Sequence, residues 1–158
     1  MSMSWTELLK SALEGKNIPV SKELVKRLNV DVLKMFQWCN EPHALESVCS
    51  KYFELINSLL KTICDDRISW SDLTGSIDEK LLARINNILK NYYRYLIVSL
   101  HDEEFHVYVE VLHTFEIGDK RYPKGFNCYI PVEDAILLES LGLVKVITVP
   151  LVTEKITF

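Results

Sequence analysis

Glycine is scarce in this sequence, with five among 158 residues. A loop that wraps a phosphate in backbone N–H groups needs glycine for close approach. The chain has no G-x-G-x-x-G, no P-loop and no G-x-S-x-G elbow. Nucleotide chemistry and serine-nucleophile chemistry therefore have no anchor, and neither a catalytic residue nor a cofactor is expected. Close metal-ligand pairs are missing too. Cys39, His43, Cys49 and Cys64 offer ligand atoms, but three, five and fourteen residues intervene. Structural zinc sites draw on pairs such as C-x2-4-C. The expectation is no metal, and reduced, mostly buried thiols at Cys39, Cys49, Cys64 and Cys128. No apolar run approaches the ~18 residues of a bilayer span. Met1 to Trp5 has neither a basic n-region nor an apolar h-region, so a cytoplasmic, non-membrane protein without a signal peptide is expected.

Excess positive charge is the next absence. The net charge is −4. Residues 1–100 hold thirteen Lys and Arg against twelve Asp and Glu, a balance of +1. Residues 101–158 hold five against ten, a balance of −5. Sequence-independent DNA affinity needs clustered cations. An acidic third suits a basic protein partner instead.

What is present is apolar periodicity, and it changes once. Ser4 and Glu7 make a capping box before Trp5, Leu8, Leu9 and Leu13, and Gly15 ends that helix. Pro19 and Ser21 open a second helix through Leu24, Val25 and Leu28, broken at Asn29. A short third piece spans Val32 to Trp38. Pro42 opens a long helix striped by Leu45, Val48, Cys49, Tyr52, Phe53, Ile56, Leu59, Leu60 and Ile63. Residues 65–76 have loop chemistry. Ser76 and Glu79 cap a last helix to Leu100, with Leu81, Leu82, Ile85, Ile88, Leu89, Tyr92, Tyr95 and Leu96 on its apolar face.

At residues 101–104 the period becomes two. Phe105, Val107, Val109 and Val111 alternate with His106, Tyr108 and Glu110, which predicts a strand. Turns follow at Gly118-Asp119 and Pro123-Lys124-Gly125, then a strand over Phe126–Ile130. Pro131 opens a short helix with Ala135, Leu138 and Leu141 inward, and Gly142 closes it. Leu143–Val149 reads as a strand, and Leu151–Phe158 as a last one. The class is α+β: a helical-bundle domain at 1–100, a linker at 101–104 and a small β-rich domain at 105–158. So small a domain is marginal alone, and a short charged linker would let it shift between free and assembled states.

Three groups could carry function. His101, Asp102, Glu103, Glu104 and His106 could bind a divalent ion or move protons. Adjacent linker residues point in different directions with nothing to fix them, so a solvated charge run is expected. Lys80, Arg84 and Arg94, with Asn87 and Asn91, form the best nucleic-acid face, which the bland reading makes a solvated helix face. Tyr92, Tyr93, Tyr95 and Leu96 lie where the last helix is apolar nearly all round. They are either core or interface.

The stretch Tyr122 to Ile147, with Gly125, Pro131, Ala135, Leu138, Gly142 and Val144 in place, resembles the small B domain of GINS proteins. Ile88 to Ile97 resembles the last long helix of that family's A domain. The A-then-B order is that of one of the two archaeal subunit types. The resemblance implies a non-enzymatic scaffold in DNA replication. It implies a 2:2 heterotetramer with a B-then-A subunit, contacts with the MCM helicase and a RecJ-like phosphoesterase-fold protein, and primase in some lineages. It makes Tyr92, Tyr95 and Leu96 tetramer contacts and DNA contact weak or indirect. The alternative is a nucleic-acid-binding adaptor using the basic face.

Overall fold

The computed structural model describes Lys10, Glu14, residues 20–67 and residues 77–157. Three helices come first: α1 (Lys22–Cys39), α2 (Glu46–Arg67) and α3 (Glu79–Val98). They are followed by β1 (His106–Val111), β2 (Phe115–Ile117), β3 (Lys120–Tyr122), β4 (Asn127–Pro131), α4 (Val132–Ser140), β5 (Val144–Val146) and α5 (Pro150–Lys155). The fold is α+β, as the change of period indicates. The expected helix from Ser4 to Gly15 lies outside the described residues except for Lys10 and Glu14. These two share a 2.9 Å backbone hydrogen bond of helical spacing. The capping box at Ser76 also lies outside them.

Each helix begins and packs for a local reason. The Ser21 hydroxyl accepts the Leu24 N–H at 3.2 Å, which satisfies one orphan donor at the start of α1. Val25, Leu28, Asn29 and Val32 then fall on one buried face at 3–4 spacing. Along α2 the buried residues are Phe53, Ile56, Leu59, Leu60, Ile63 and Cys64. In α3 only the C-terminal turns are buried, at Tyr93 and Leu96 to Val98.

β1 is the middle strand of an antiparallel sheet of order β4-β1-β5. Val107, Val109 and Val111 are fully buried, and Val107 and Val109 face Ile130 and Cys128 of β4. Helix α4 covers this sheet with Val132, Ala135, Ile136 and Leu138, all buried. Tyr108 pairs with Tyr129 in register, with ring centroids 5.0 Å apart. Gly142 ends α4 at φ +72°. Its N–H donates to the Glu139 carbonyl at 2.9 Å, and the Leu143 N–H to Leu138 at 2.9 Å. That pair of bonds satisfies two orphan carbonyls and favours glycine at the left-handed position. β2 and β3 form a separate hairpin around Gly118 and Asp119.

Several expectations need correction. Asn29 does not break a helix, because α1 runs unbroken through it. Its carboxamide donates to the Ile97 carbonyl at 2.7 Å and to Ser99 at 3.2 Å, which makes a buried polar residue acceptable inside the helix. Helix α2 starts at Glu46 and not at Pro42; Leu45 before it and Val48 in its first turn are exposed, and the helix extends through Asp65 and Asp66. Leu141 points outward at 71% exposure, since α4 has already ended. Residues 150–155 are helical, not a strand, with Pro150 in the first turn, where its missing N–H costs nothing. Cys39 and Cys49 are bonded to each other across the α1–α2 turn, so these two are not free thiols; Cys64 and Cys128 are.

The helical and β-rich parts share one contiguous apolar core. Polar side chains add to the joint. The Tyr95 hydroxyl on α3 donates to the Glu139 carboxylate on α4. The other Glu139 oxygen accepts the Val146 N–H of β5 at 3.0 Å. Arg94 on α3 donates to the Thr153 carbonyl at 2.8 Å. Asn57 on α2 donates to the Lys155 carbonyl at 2.9 Å and accepts the Thr157 N–H at 2.8 Å. Val152 and Ile156 are fully buried at this joint.

Candidate functional site

Helix α3 is the element around which the candidate surfaces are arranged. It presents a buried end, an apolar groove and a polar groove. The buried end consumes two of the residues singled out from the sequence. Leu96 and Tyr93 are buried in this chain's own core, and Tyr92 and Tyr95 are half-buried. Burial first, and then the hydrogen bond to Glu139, push the Tyr95 hydroxyl well above the usual phenol range. Tyr95 is therefore held neutral as a donor between α3 and α4. Tyr92 sits edge-on to Tyr93 with centroids 5.3 Å apart. Burial and the nearby Glu133 raise its hydroxyl as well.

The apolar groove lies between α3 and α4. Ile85, Ile88, Leu89 and Tyr92 form one wall, and Ile136 and Leu137 the other, around a cavity of about 420 Å³. Arg67 and Glu133 stand at its rim. Aliphatic side chains on both walls remain in water: Ile85 is 41% exposed and Leu137 52%. The period of α3 identifies the first wall. The second wall was missed, because Leu137 reads as the outer face of a short sheet-covering helix.

The polar groove runs between α3 and the residues after α5. Asn87, Lys90, Asn91, Arg94, Ile156 and Thr157 line a space of about 500 Å³. Lys80 and Arg84 extend the same side of the helix and are exposed. The structure thus aligns Lys80 and Arg84 with Arg94, but Arg94 is partly spent on Thr153. Its Nε is buried without an acceptor.

The charged stretch at 101–106 is better fixed than its sequence suggests. The Asp102 carboxylate accepts from the Glu104 N–H at 2.9 Å, the His106 N–H at 3.0 Å and the His106 ring at 2.8 Å. Those bonds, with the His106 backbone N–H first, hold the Asp102 carboxyl below its usual range. Phe105 takes φ +62° inside this turn and places its buried ring beneath Lys22, 6.0 Å from the ammonium. His101 and Val107 form a bridge. The expectation that nothing fixes these side chains is overturned for Asp102 and His106, and for His101, whose ring nitrogens stand 3.1 Å from the Leu96 and Asp102 carbonyl oxygens. Among the described residues no three His, Cys, Asp or Glu side chains gather as a metal site.

A third hollow, of about 370 Å³, lies between α1 and α2 among Asp31, Lys34, Met35, Trp38 and Tyr52. Burial, with a smaller effect of Asp31, pushes the Tyr52 hydroxyl up to about 12. Cys128 is a half-buried strand residue whose thiol is raised by burial. Among the described residues no helix is long and apolar enough to cross a membrane. Comparisons with family models, with curated proteins and with solved structures find no match for this chain.

Proposed function

We propose that this chain is a non-enzymatic assembly subunit of the GINS type. On this reading it is cytoplasmic and archaeal. It joins a B-then-A subunit in a 2:2 heterotetramer, which links the MCM helicase to a RecJ-like phosphoesterase-fold protein and contacts primase. The observation that carries the reading is the apolar groove between α3 and α4. Aliphatic side chains on both walls stand in water, with charge only at the rim. An apolar centre inside a polar rim is how subunit interfaces are built. The walls come from different modules, and the Tyr95–Glu139 bond holds them together. A scaffold needs such fixed geometry.

Light scattering on the chain, alone and mixed with a B-then-A subunit, tests the proposal. A stable mixed tetramer is expected, and Leu137→Glu should abolish it while the chain stays folded. A well-behaved monomer that ignores that subunit would sink the reading. The nucleic-acid alternative rests on Lys80, Arg84 and Arg94. It is weaker, because Arg94 is engaged by Thr153 and the chain carries −4 overall. It requires binding that falls steeply with salt.

A further inference from the structure

The polar groove of α3 is separate from the apolar one and is built for something else. Helix α3 carries Lys80, Arg84, Lys90 and Arg94 against a single acid, Glu79. No ion pair joins Lys80, Arg84 or Lys90 to a carboxylate among the described residues. Between these cations stand Asn87 and Asn91, both lining the groove. Neither carboxamide bonds another described side chain or backbone group. Each therefore keeps a donor and an acceptor available.

Spacing gives these groups a common reader. Four residues of α-helix rise about 6 Å. Two residues of extended chain rise about 6.6 Å. Asn87 and Asn91 thus repeat at nearly the interval at which an extended peptide presents its N–H and C=O to one side. A peptide backbone answers both halves of a carboxamide, whereas a phosphodiester offers acceptors only. From Lys80 to Arg94 the helix spans about 21 Å, room for six or so extended residues.

We propose that this groove binds an extended, acidic peptide segment of a partner protein. Asn87 and Asn91 hold its backbone, and Lys80, Arg84 and Lys90 meet its carboxylates. The cations set the sign of the partner, and the amides set its extended form. This site does not depend on the GINS reading, because it uses a different face of α3.

The test uses the full chain, isotope-labelled, and a labelled octapeptide of alternating Glu and Ser. Binding should move the side-chain amide signals of Asn87 and Asn91. Asn87→Ala with Asn91→Ala should weaken it about tenfold or more, the scale of one to two lost hydrogen bonds. Alanine is the better helix former, so this variant keeps the fold. Two further octapeptides carry backbone N-methyl groups, one at the Glu positions and one at the Ser positions. At least one of them should lose about as much. Lys80→Gln with Arg84→Gln should weaken binding and flatten its salt dependence. The proposal is overturned if the Glu-Ser peptide does not bind, if the Asn variant or both N-methylated peptides bind as well as their parents, or if a Lys-Ser peptide binds equally. An oligothymidylate of eight nucleotides binding more tightly than the peptide would also overturn it, in favour of a nucleic-acid face.

Discussion

The two ends of α3 both carry an apolar stripe and meet opposite fates. Leu81, Leu82 and Ile85 at one end stay partly or largely in water. Leu96, Ile97 and Val98 at the other are buried. Both keep the 3–4 spacing of an amphipathic helix, and the C-terminal end is in addition apolar nearly all round. What the rest of the chain packs against each end also separates them. The C-terminal end is enclosed by α1, which reaches it through Asn29, and by the β-rich part, through Tyr95 and Glu139. At the N-terminal end Leu82 and Asn86 are half-buried, while Leu81 and Ile85 are exposed. An apolar stripe therefore states that a face can be buried, and the rest of the chain decides whether it is.

The largest test of this contrast is a pair of truncations. Ile97→Ala should cost about 2–5 kcal/mol by chemical denaturation, as a cavity in a closed core does. Ile85→Ala on the same helix should stay within about 0.5 kcal/mol. Equal losses would mean that the open groove is as well packed as the core. Next comes the disulfide. Cys39 and Cys49 lie 10 residues apart, and closing a loop of that size contributes roughly 2–3 kcal/mol. Adding a reductant, or replacing both cysteines by Ser, should lower the denaturation midpoint accordingly. Loss of thiol protection in mass spectrometry would report the bond directly.

Asn29→Ala should cost about 1–3 kcal/mol, because the buried Ile97 and Ser99 carbonyls lose their donor. Amide exchange should quicken at the end of α3 and not at its start. The last test is at high pH. Tyr52 has its hydroxyl raised from 10.0 to about 12. The unfolded chain then releases that proton first, so stability should fall as pH climbs from about 10 to about 12. Tyr95 adds to the fall, since burial and Glu139 raise it too. Tyr52→Phe should flatten the curve, and an unchanged alkaline limb would deny that Tyr52 is enclosed.

Much of the fold was legible where the signal is local. The alternation of Val107, Val109 and Val111 marks a strand covered on one face. Pro131 and Gly142 bracket α4 by backbone chemistry alone. The stripe from Phe53 to Ile63 gives the packing face of α2. What escaped depends on partners far along the chain. Asn29 looks like an interruption because its acceptors are 68 and 70 residues away. Cys39 and Cys49 meet only because the turn at 40–45 brings two helix ends together. Val152 and Thr153 favour a strand by side-chain type, yet residues 150–155 form a helix with Val152 in the joint. Of the candidate site, the α3 sides were readable from spacing. The opposing walls at Leu137 and Thr157 were not, since they are set by how the second module docks.

That docking has a consequence for how the chain is made. Thr157 reaches back 100 residues to Asn57, and Ile156 is sealed into the joint. On a ribosome, α1, α2 and α3 emerge well before the residues that complete their packing. Until residues 152–157 have cleared the exit tunnel, the joint that Val152 and Ile156 fill stays uncovered. Closing so long a loop is a late and slow event. A nascent chain arrested before Val152 should therefore be the form most exposed to proteases and to wrong partners.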